Sequence, residues 1–126
     1  MKYIAFLLCA FATIPLVSQD TAAVAGYDYI DEFKAGYAFV YLNGKMGMIN
    51  SEGEEIIPPE YDHIDDFGKE NQTWIYNNGL MGLINKEGQI IIPVKYNYLE
   101  IFVDGYKAYL NRREILIDRQ GKVLTP

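Results

Sequence analysis

The only histidine of the chain stands among carboxylates, and this group is the stretch best suited to chemistry. Asp62 precedes His63, and Asp65 and Asp66 follow within the same short segment. An imidazole beside a carboxylate can transfer protons as an acid–base pair, and nitrogen and oxygen donors together can bind a metal. One hypothesis is therefore an enzyme, a hydrolase or lyase, that uses these four side chains.

Two features of the sequence oppose that hypothesis. His63 occupies a position that a tyrosine fills in two similar segments, as Tyr29 and Tyr98, so the position accepts an aromatic ring. A single histidine also offers a metal only one strong nitrogen ligand. The two serines, Ser18 and Ser51, lie near the N-terminus and in a predicted turn, which gives no support to a Ser-His-Asp triad. The sequence therefore favours a non-catalytic protein, with no catalytic, metal-binding or cofactor-binding residue assigned.

Acidic or amide residues recur at two equivalent positions of these segments. Stacking would align them in two polar stripes, where neighbouring like charges are costly unless solvent or a cation neutralises them. The stripes have two interpretations, turn capping with solvation or Ca²⁺ binding, although their spacing is not that of an EF-hand loop. The sequence favours turn capping. The first stripe comprises Asp28, Asp62 and Asn97, and the second comprises Asp31, Asp65 and Glu100.

Aromatic residues gather on the predicted first strands. Alternation places Tyr37, Phe39 and Tyr41 on one face, which could be an exposed platform for glycans or peptides. Cross-strand packing is the favoured interpretation, because aromatic residues are ordinary strand formers. Three methionines are predicted to fill the core: Met46, Met48 and Met81.

An internal repeat must position all these residues. Residues 44–53 return as residues 79–88, an offset of 35 residues, and flanking Ile-Pro, Tyr and Phe landmarks move with them. Repeated units of this length bury their apolar faces mainly against their neighbours. Most landmark residues are therefore expected to serve the architecture.

Each unit is predicted to be a three-stranded antiparallel meander. Asn43-Gly44 and Asn78-Gly79 lie between β-rich runs, and Asn-Gly is the strongest signal for a two-residue type I′ hairpin. A second turn, from an Asx residue to a glycine, leads into a third strand. That strand is expected to end at a proline, since proline cannot donate to a ladder. The turns start at Asn50, Asn85 and Asp118, and the prolines are Pro58, Pro93 and Pro126.

The predicted fold is all-β, a short array of about 35-residue antiparallel three-stranded meanders joined by Tyr-to-Phe connectors. We expect an open stack, because about three units are too few for a closed propeller. The last unit departs from the pattern, as a capping repeat does: residues 112–118 lack the glycine found at Gly47 and Gly82. Exposed strand edges at the two ends predict a monomer or a weak homodimer joined through the N-terminal half.

These landmarks resemble the WG-repeat family, also called KWG repeats. The family unit reads approximately Gly-x-Trp-Gly-Tyr-Ile-Asp-x-x-Gly, then an aliphatic run into Ile-Pro-Pro-x-Tyr-Asp and a Phe. Here Met46 and Met81 stand in place of the family's Trp, and Glu114 takes the third such position. The resemblance implies a β-rich bacterial repeat module, often exported, without established enzymatic activity. The matching residues are Lys45-Met46-Gly47-Met48-Ile49-Asn50, Gly53, Ile57-Pro58-Pro59-Glu60-Tyr61-Asp62 and Phe67, and their counterparts one unit later.

The N-terminus has the layout of a secretory signal peptide. Lys2 precedes an apolar run that ends near Pro15 and polar residues, and the run is too short to span a bilayer comfortably. Cleavage after Ser18 is favoured over cleavage after Ala25, and the alternative is an uncleaved N-terminal anchor or a buried strand. Cys9 follows Leu8, where lipoprotein processing needs a small residue, so a lipid anchor is rejected. The predicted division is a signal peptide at 1–18, a short linker at 19–26 and a WG-like β-repeat domain at 27–126.

Net charge narrows the class of partner. The chain carries 17 acidic residues against 11 lysines and arginines, a formal charge of -6. A phosphate backbone requires a basic face, so nucleic acid is not expected as a partner, whereas an acidic surface favours cations, basic partners or simple solubility. The sequence therefore predicts an exported, non-catalytic binding or scaffold module of the cell envelope. Its predicted partner is a protein or an envelope component. No cofactor and no membrane-spanning segment are expected in the mature chain. The alternative is an envelope-polymer hydrolase or lyase that uses the Asp62/His63/Asp65/Asp66 group.

Overall fold

The computed structural model describes residues 26–125, and these residues form an all-β protein. Every strand is antiparallel to its neighbours, and none of the sheets closes on itself. The strands are β1 (Tyr29–Ile30), β2 (Tyr37–Leu42), β3 (Lys45–Asn50), β4 (Glu55–Tyr61), β5 (His63–Ile64), β6 (Gln72–Asn77), β7 (Leu80–Asn85), β8 (Ile90–Tyr96), β9 (Tyr98–Phe102), β10 (Gly105–Leu110) and β11 (Arg113–Asp118).

Three sheets follow one another along the chain, and each is one repeat unit. Strands pair in the orders β1-β2-β3-β4, β5-β6-β7-β8 and β9-β10-β11, so every neighbour in a sheet is also a neighbour in sequence. We call these unit 1 (27–61), unit 2 (62–96) and unit 3 (97–125). The predicted all-β open array is confirmed. The number of strands differs from the predicted three-stranded meander in units 1 and 2, which have four strands each, because each Tyr-to-Phe connector contributes the first strand of a sheet.

The predicted Asn-Gly hairpins are confirmed. Leu42 pairs with Lys45 across a two-residue loop in which Asn43 and Gly44 have φ values of 53° and 79°. Asn78 and Gly79 repeat this geometry with 53° and 77°. Two successive positive φ values define a type I′ turn, whose twist matches that of the flanking strands.

The Asx turns are confirmed as well. Oδ1 of Asn50 accepts the amide N–H groups of Glu52 and Glu54 at 3.0 and 2.9 Å. Asn85 and Asp118 receive the amides two and four residues ahead of them in the same way, at 2.9–3.0 Å. The turn is thus closed by one side-chain oxygen that holds two backbone donors.

The prediction that the third meander strand ends at its proline is wrong for the first two units. β4 continues through Pro58 to Tyr61, and β8 continues through Pro93 to Tyr96. Both strands lie at the edge of their sheets, so a residue without an N–H can be accommodated. The register slips twice where β4 crosses β3, and a Cβ on Gly47 would lie 2.4 Å from the Ile57 carbonyl oxygen. Pro126 lies outside the described residues.

Most of the core lies at the junctions between units, and a smaller buried cluster within unit 1 comprises Ala38, Val40 and Ile49. The last two strands of one unit contact the first two of the next, and a buried cluster fills each junction. The predicted core role of the methionines is confirmed, since Met46, Met48 and Met81 are all buried. At the first junction the cluster comprises Tyr37, Met46, Met48, Ile57, Ile64, Phe67, Ile75 and Ile84, and at the second it comprises Met81, Leu83, Ile92, Tyr96, Leu99, Tyr106, Ala108 and Ile117.

Glycines in the Asx turns join the units closely. A Cβ on Gly88 of unit 2 would lie 2.3 Å from the carbonyl oxygen of Ile56 in unit 1. Gly121 of unit 3 meets Ile91 of unit 2 in the same way, at 2.1 Å. Gly53, the counterpart in unit 1, has open space around it. The turn of each later unit therefore docks on the edge strand of the unit before it.

Residues 26–125 include no helix that is long and apolar enough to cross a membrane. The predicted signal peptide at 1–18 and nearly all of the predicted linker at 19–26 lie outside the described residues.

Candidate functional site

The structure brings two members of the Asp62/His63/Asp65/Asp66 group together, His63 and Asp65, and gives Asp62 and Asp66 partners outside the group. Oδ2 of Asp62 accepts the backbone N–H of Asn78 at 2.8 Å, and Oδ1 forms an ion pair with Lys45. The Lys45 ammonium and the Asn78 N–H hold the pKa of this carboxyl below its ordinary value. Asp62 therefore joins the Asn78-Gly79 hairpin to unit 1.

His63 and Asp65 form the one pair that could exchange a proton. Nε2 of His63 lies 3.0 Å from Oδ1 of Asp65, while Oδ2 of Asp65 accepts the Tyr76 hydroxyl at 3.0 Å. The imidazole also lies 5.7 Å from the Tyr76 ring, centroid to centroid, in a cross-strand pair. Tyr29–Tyr41 and Tyr98–Tyr109 form the equivalent pairs at 5.8 and 6.0 Å. The prediction that this position holds an aromatic ring is confirmed.

Asp66 points to the preceding unit. Its Oδ1 atom accepts the Tyr37 hydroxyl at 2.8 Å and the Gly68 N–H at 3.1 Å. The Gly68 N–H and the Tyr37 hydroxyl hold the pKa of Asp66 below its ordinary value, and burial together with Asp66 raises the pKa of Tyr37 to about 12. Within residues 26–125, no three His, Cys, Asp or Glu side chains converge as metal ligands.

The first polar stripe caps the hairpins of all three units. Asp28 accepts the N–H of Asn43 at 2.8 Å, Asp62 accepts that of Asn78, and Asn97 accepts that of Asn111 at 2.9 Å. The favoured interpretation, turn capping, describes this stripe correctly, although the capped turn is the hairpin of the following strands. In unit 3 the cap is the neutral amide oxygen of Asn97, so the hairpin cap does not require a charged residue.

Two of the three residues of the second stripe bind tyrosines, which sequence reasoning did not foresee, whereas Asp31 accepts the N–H of Glu32. Asp65 accepts the hydroxyl of Tyr76, and Glu100 accepts that of Tyr109 at 3.2 Å. Burial and the Asp65 carboxylate raise the pKa of Tyr76 to about 12. A tyrosine at the fifth position of β2, β6 and β10 is the sequence signal that could have identified these pairs.

The junction between units 2 and 3 contains the larger groove, of about 580 Å³, which we call the Trp74 groove. Trp74 and Tyr106 meet edge to face in its wall, with centroids 6.0 Å apart. The Tyr106 hydroxyl donates to Oε1 of Gln72 at 2.8 Å, which fixes the ring. Three carboxylates, one guanidinium and one aliphatic side chain also line the groove: Asp65, Asp66, Glu70, Arg119 and Ile101.

A second groove, of about 390 Å³, lies at the junction between units 1 and 2, and we call it the Lys86 groove. Lys86 follows the Asx residue of unit 2 as Arg119 follows that of unit 3, so the two cations occupy the same place in the repeat. Met48 and Leu83 are likewise equivalent in the two linings. Each of these grooves is therefore formed where two units stack, and both junctions contain one.

The face of Tyr37, Phe39 and Tyr41 is packed, as the favoured interpretation held. Tyr37 is buried, and its ring lies 5.4 Å from that of Phe39 and 5.6 Å from that of Phe67, both edge to face. Phe39 and Tyr41 are half-buried against the first junction core. The aromatic residues that line the larger opening are instead Trp74 and Tyr106, at the next junction.

Comparison with protein families gives one family match over most of the array. The model of the WG containing repeat matches residues 25–45, 46–80 and 81–109. Two of these segments begin at Met46 and Met81, which directly precede the close-packed Gly47 and Gly82. Neither the curated proteins nor the solved structures give a match to the chain. Three matched segments, which together span residues 25–109 of the β array, establish that the chain belongs to the WG-repeat family.

Proposed function

We propose that this WG-repeat protein is an exported, non-catalytic binding or scaffold module of the bacterial cell envelope. The observation that carries the proposal is the distribution of its polar groups. Asp62, Asp65 and Asp66 each hold a turn or a tyrosine of the array. The Trp74 groove lies open between two units and presents aromatic rings together with charged groups, which include Asp65 and Asp66. Such a surface is suited to binding.

Export is supported by the sequence of the first eighteen residues. A lysine, an apolar run and a polar boundary are the parts of a signal peptide. If the proposal is right, protein recovered from outside the cytoplasm begins near Gln19, which an intact mass would establish. A full-length mass with retention in the membrane would contradict it.

Binding can be tested with the chain from residue 19 onward as bait in an extract of the cell envelope. Ile101 is 76% exposed in the Trp74 groove, whereas Ile90 is 47% exposed on β8 and outside the groove lining. We expect Ile101→Glu to lose an envelope component that the wild-type chain retains, and Ile90→Glu to keep it. Equal recovery with both variants, or no enriched component with any bait, would contradict a binding role for this groove.

The catalytic alternative has a separate test. The His63–Asp65 pair is the only arrangement of the acidic group, within the described residues, that offers proton transfer. Under the proposed function, His63→Ala still retains the envelope component, because the imidazole lies outside the groove lining and Asp65, which it contacts, keeps its hydrogen bond from the Tyr76 hydroxyl. Turnover of an envelope polymer by the wild type that His63→Ala abolishes would instead identify a hydrolase or lyase.

A further inference from the structure

The Trp74 groove has an excess of negative charge. Three carboxylates line it, those of Asp65, Asp66 and Glu70, and they face one guanidinium, that of Arg119. Nη2 of Arg119 donates to the carbonyl oxygen of Val103 at 3.1 Å. The only cation of the groove is therefore drawn toward the β9–β10 turn. A cleft lined mainly by one sign of charge concentrates counter-ions and steers their approach.

The Lys86 groove shows how the same array uses aromatic rings for a cation. There Nζ of Lys86 lies 5.8 Å from the ring centroids of both Tyr37 and Phe67. This separation is within the range of a cation–π interaction. Between residues 26 and 125, cations also lie over Tyr96 and Phe102, but none lies over Trp74 or Tyr106. Trp74 and Tyr106 thus stand beside three carboxylates and one guanidinium, that of Arg119, and no cation of the described residues lies over the face of either ring.

We propose that the Trp74 groove binds a basic segment of a partner protein, with an arginine or lysine side chain against the Trp74 ring. The inference rests on the proposed binding function and narrows its partner to a basic polypeptide. Tryptophan is the strongest aromatic partner for a cation, and arginine the more frequent cation. The carboxylates of Asp65, Asp66 and Glu70 supply the opposite charge, and exposed Ile101 offers apolar surface to the aliphatic stem.

Trp74 makes the proposal directly testable, because it is the only tryptophan of the chain. Its emission is followed while acetylated tri-arginine amide is added to the chain from residue 19 onward. We expect a saturable change in emission and an affinity that falls as sodium chloride is raised, since salt screens partly exposed charges. Tri-citrulline amide has nearly the same shape without the charge, and acetylated tri-glutamate amide reverses it. Both are expected to leave the emission unchanged.

A matched pair of isosteric variants locates the bound cation. Glu70→Gln removes an exposed carboxylate of the groove, and Glu52→Gln removes an exposed carboxylate of the first Asx turn, outside the lining. We expect Glu70→Gln to raise the dissociation constant of the arginine peptide by about threefold, which is the effect of losing a solvent-exposed charge pair. Glu52→Gln should leave the affinity unchanged.

Several outcomes would overturn the inference. These are an emission that does not respond to the arginine peptide, an equal response to the citrulline peptide, and equal affinities of the two variants. A response to an N-acetylglucosamine tetrasaccharide in place of the arginine peptide would assign the groove to a glycan and overturn it too. An envelope component that depends on Ile101, without any response to the arginine peptide, would preserve the proposed function and reject only the basic partner.

Discussion

Arg112 is the residue at which the third hairpin departs from the first two. Asn111 and Arg112 have φ values of 52° and 70°, so the turn keeps its type I′ shape with an arginine where Gly44 and Gly79 stand. An L-residue in the left-handed region costs roughly 1–2 kcal/mol, because its Cβ approaches the following carbonyl oxygen. The cap from Asn97 to the Asn111 N–H, at 2.9 Å, helps to hold this conformation.

The second residue of the hairpin turn should affect stability through its residue type: a glycine placed there should stabilise the protein, and the loss of a glycine should destabilise it. Arg112→Gly is expected to raise the free energy of unfolding by about 1 kcal/mol, and Gly79→Val to lower it by about 1–2 kcal/mol, since a β-branched residue resists positive φ. Glu52→Ala, at an exposed turn position, serves as the control and should be nearly silent. Denaturant unfolding of the three variants provides the measurement. A Gly79→Val protein as stable as Glu52→Ala would mean that the turn is not type I′.

The Tyr37–Asp66 hydrogen bond should give stability a dependence on pH at both extremes. The lowered pKa of Asp66 adds stability above the ordinary carboxyl value of 3.8, and this contribution is lost as the pH falls through the lowered value. The pKa of Tyr37 is raised to about 12, so its contribution is complete below the ordinary value of 10.0 and is lost as the pH rises toward 12.

Tyr37→Phe tests that dependence. We expect the variant to lose less stability than the wild type between pH 10.0 and 12, because no hydroxyl remains to ionise. It should also lose less below pH 3.8, because Asp66 keeps only its backbone donors. Urea midpoints across pH supply the comparison, with Tyr98→Phe, at a ring that is 52% exposed, as the control. Parallel pH profiles of the wild type and Tyr37→Phe would show that the pair is not coupled to folding.

At the scale of elements, local sequence signals predicted the turns correctly. They missed the strand extensions, which depend on contacts between residues that are distant in sequence. Asn43-Gly44 and the Asx turn at Asn50 are specified by adjacent residues, and both formed as expected. The extension of β4 beyond Pro58 depends on the close passage over Gly47, which links residues ten positions apart. The two-residue strands β1 and β5 are too short for any periodic pattern to indicate them.

The Asx-turn glycines offer a matched test of how units dock. Gly53 and Gly88 have the same φ of 83°, so alanine carries the same backbone strain at both positions. Only at Gly88 would the new Cβ collide with the neighbouring unit, at 2.3 Å from the Ile56 carbonyl oxygen. We expect Gly88→Ala to lower the free energy of unfolding by about 1–3 kcal/mol more than Gly53→Ala, the usual range for overpacking. Equal losses in thermal unfolding would show that the turn does not pack tightly on unit 1.

At the scale of the whole molecule, sequence predicted an array and could not predict its grooves. The repeat of 35 residues and the Asx turns locate each unit on its own. The Trp74 groove depends on how unit 3 lies against unit 2, and it draws Glu70 and Arg119 from distant parts of the chain. Of the chemically suggestive residues only His63 and Asp65 contact each other, whereas Asp62 and Asp66 face other neighbours. Spacing along the chain is therefore a poor guide to sites in a stacked array.

The two ends of the array differ in whether they can accept another unit. Met46 is buried at the first junction, and its sulfur accepts the N–H of Ile64 in the next unit at 3.4 Å. Met81 is buried at the second junction. Glu114 takes this place in unit 3, where its half-exposed carboxylate lies 3.6 Å from Nζ of Lys107. A charge at the position that joins units opposes further stacking. The monomer or weak homodimer stays a prediction.

Glu114→Met should therefore promote association of whole molecules. The variant restores the apolar contact that Met46 makes with Ile64, and the equivalent residues at the start of the array are Ile30 and Phe33, of which Phe33 is 42% exposed. Because the two faces differ, copies would join head to tail, and such contacts need not close into a dimer. We expect light scattering to give a mass that grows with concentration for Glu114→Met and that changes little for Glu114→Gln, which removes the charge but stays polar. If both variants scatter as the wild type does, Glu114 is not what ends the array.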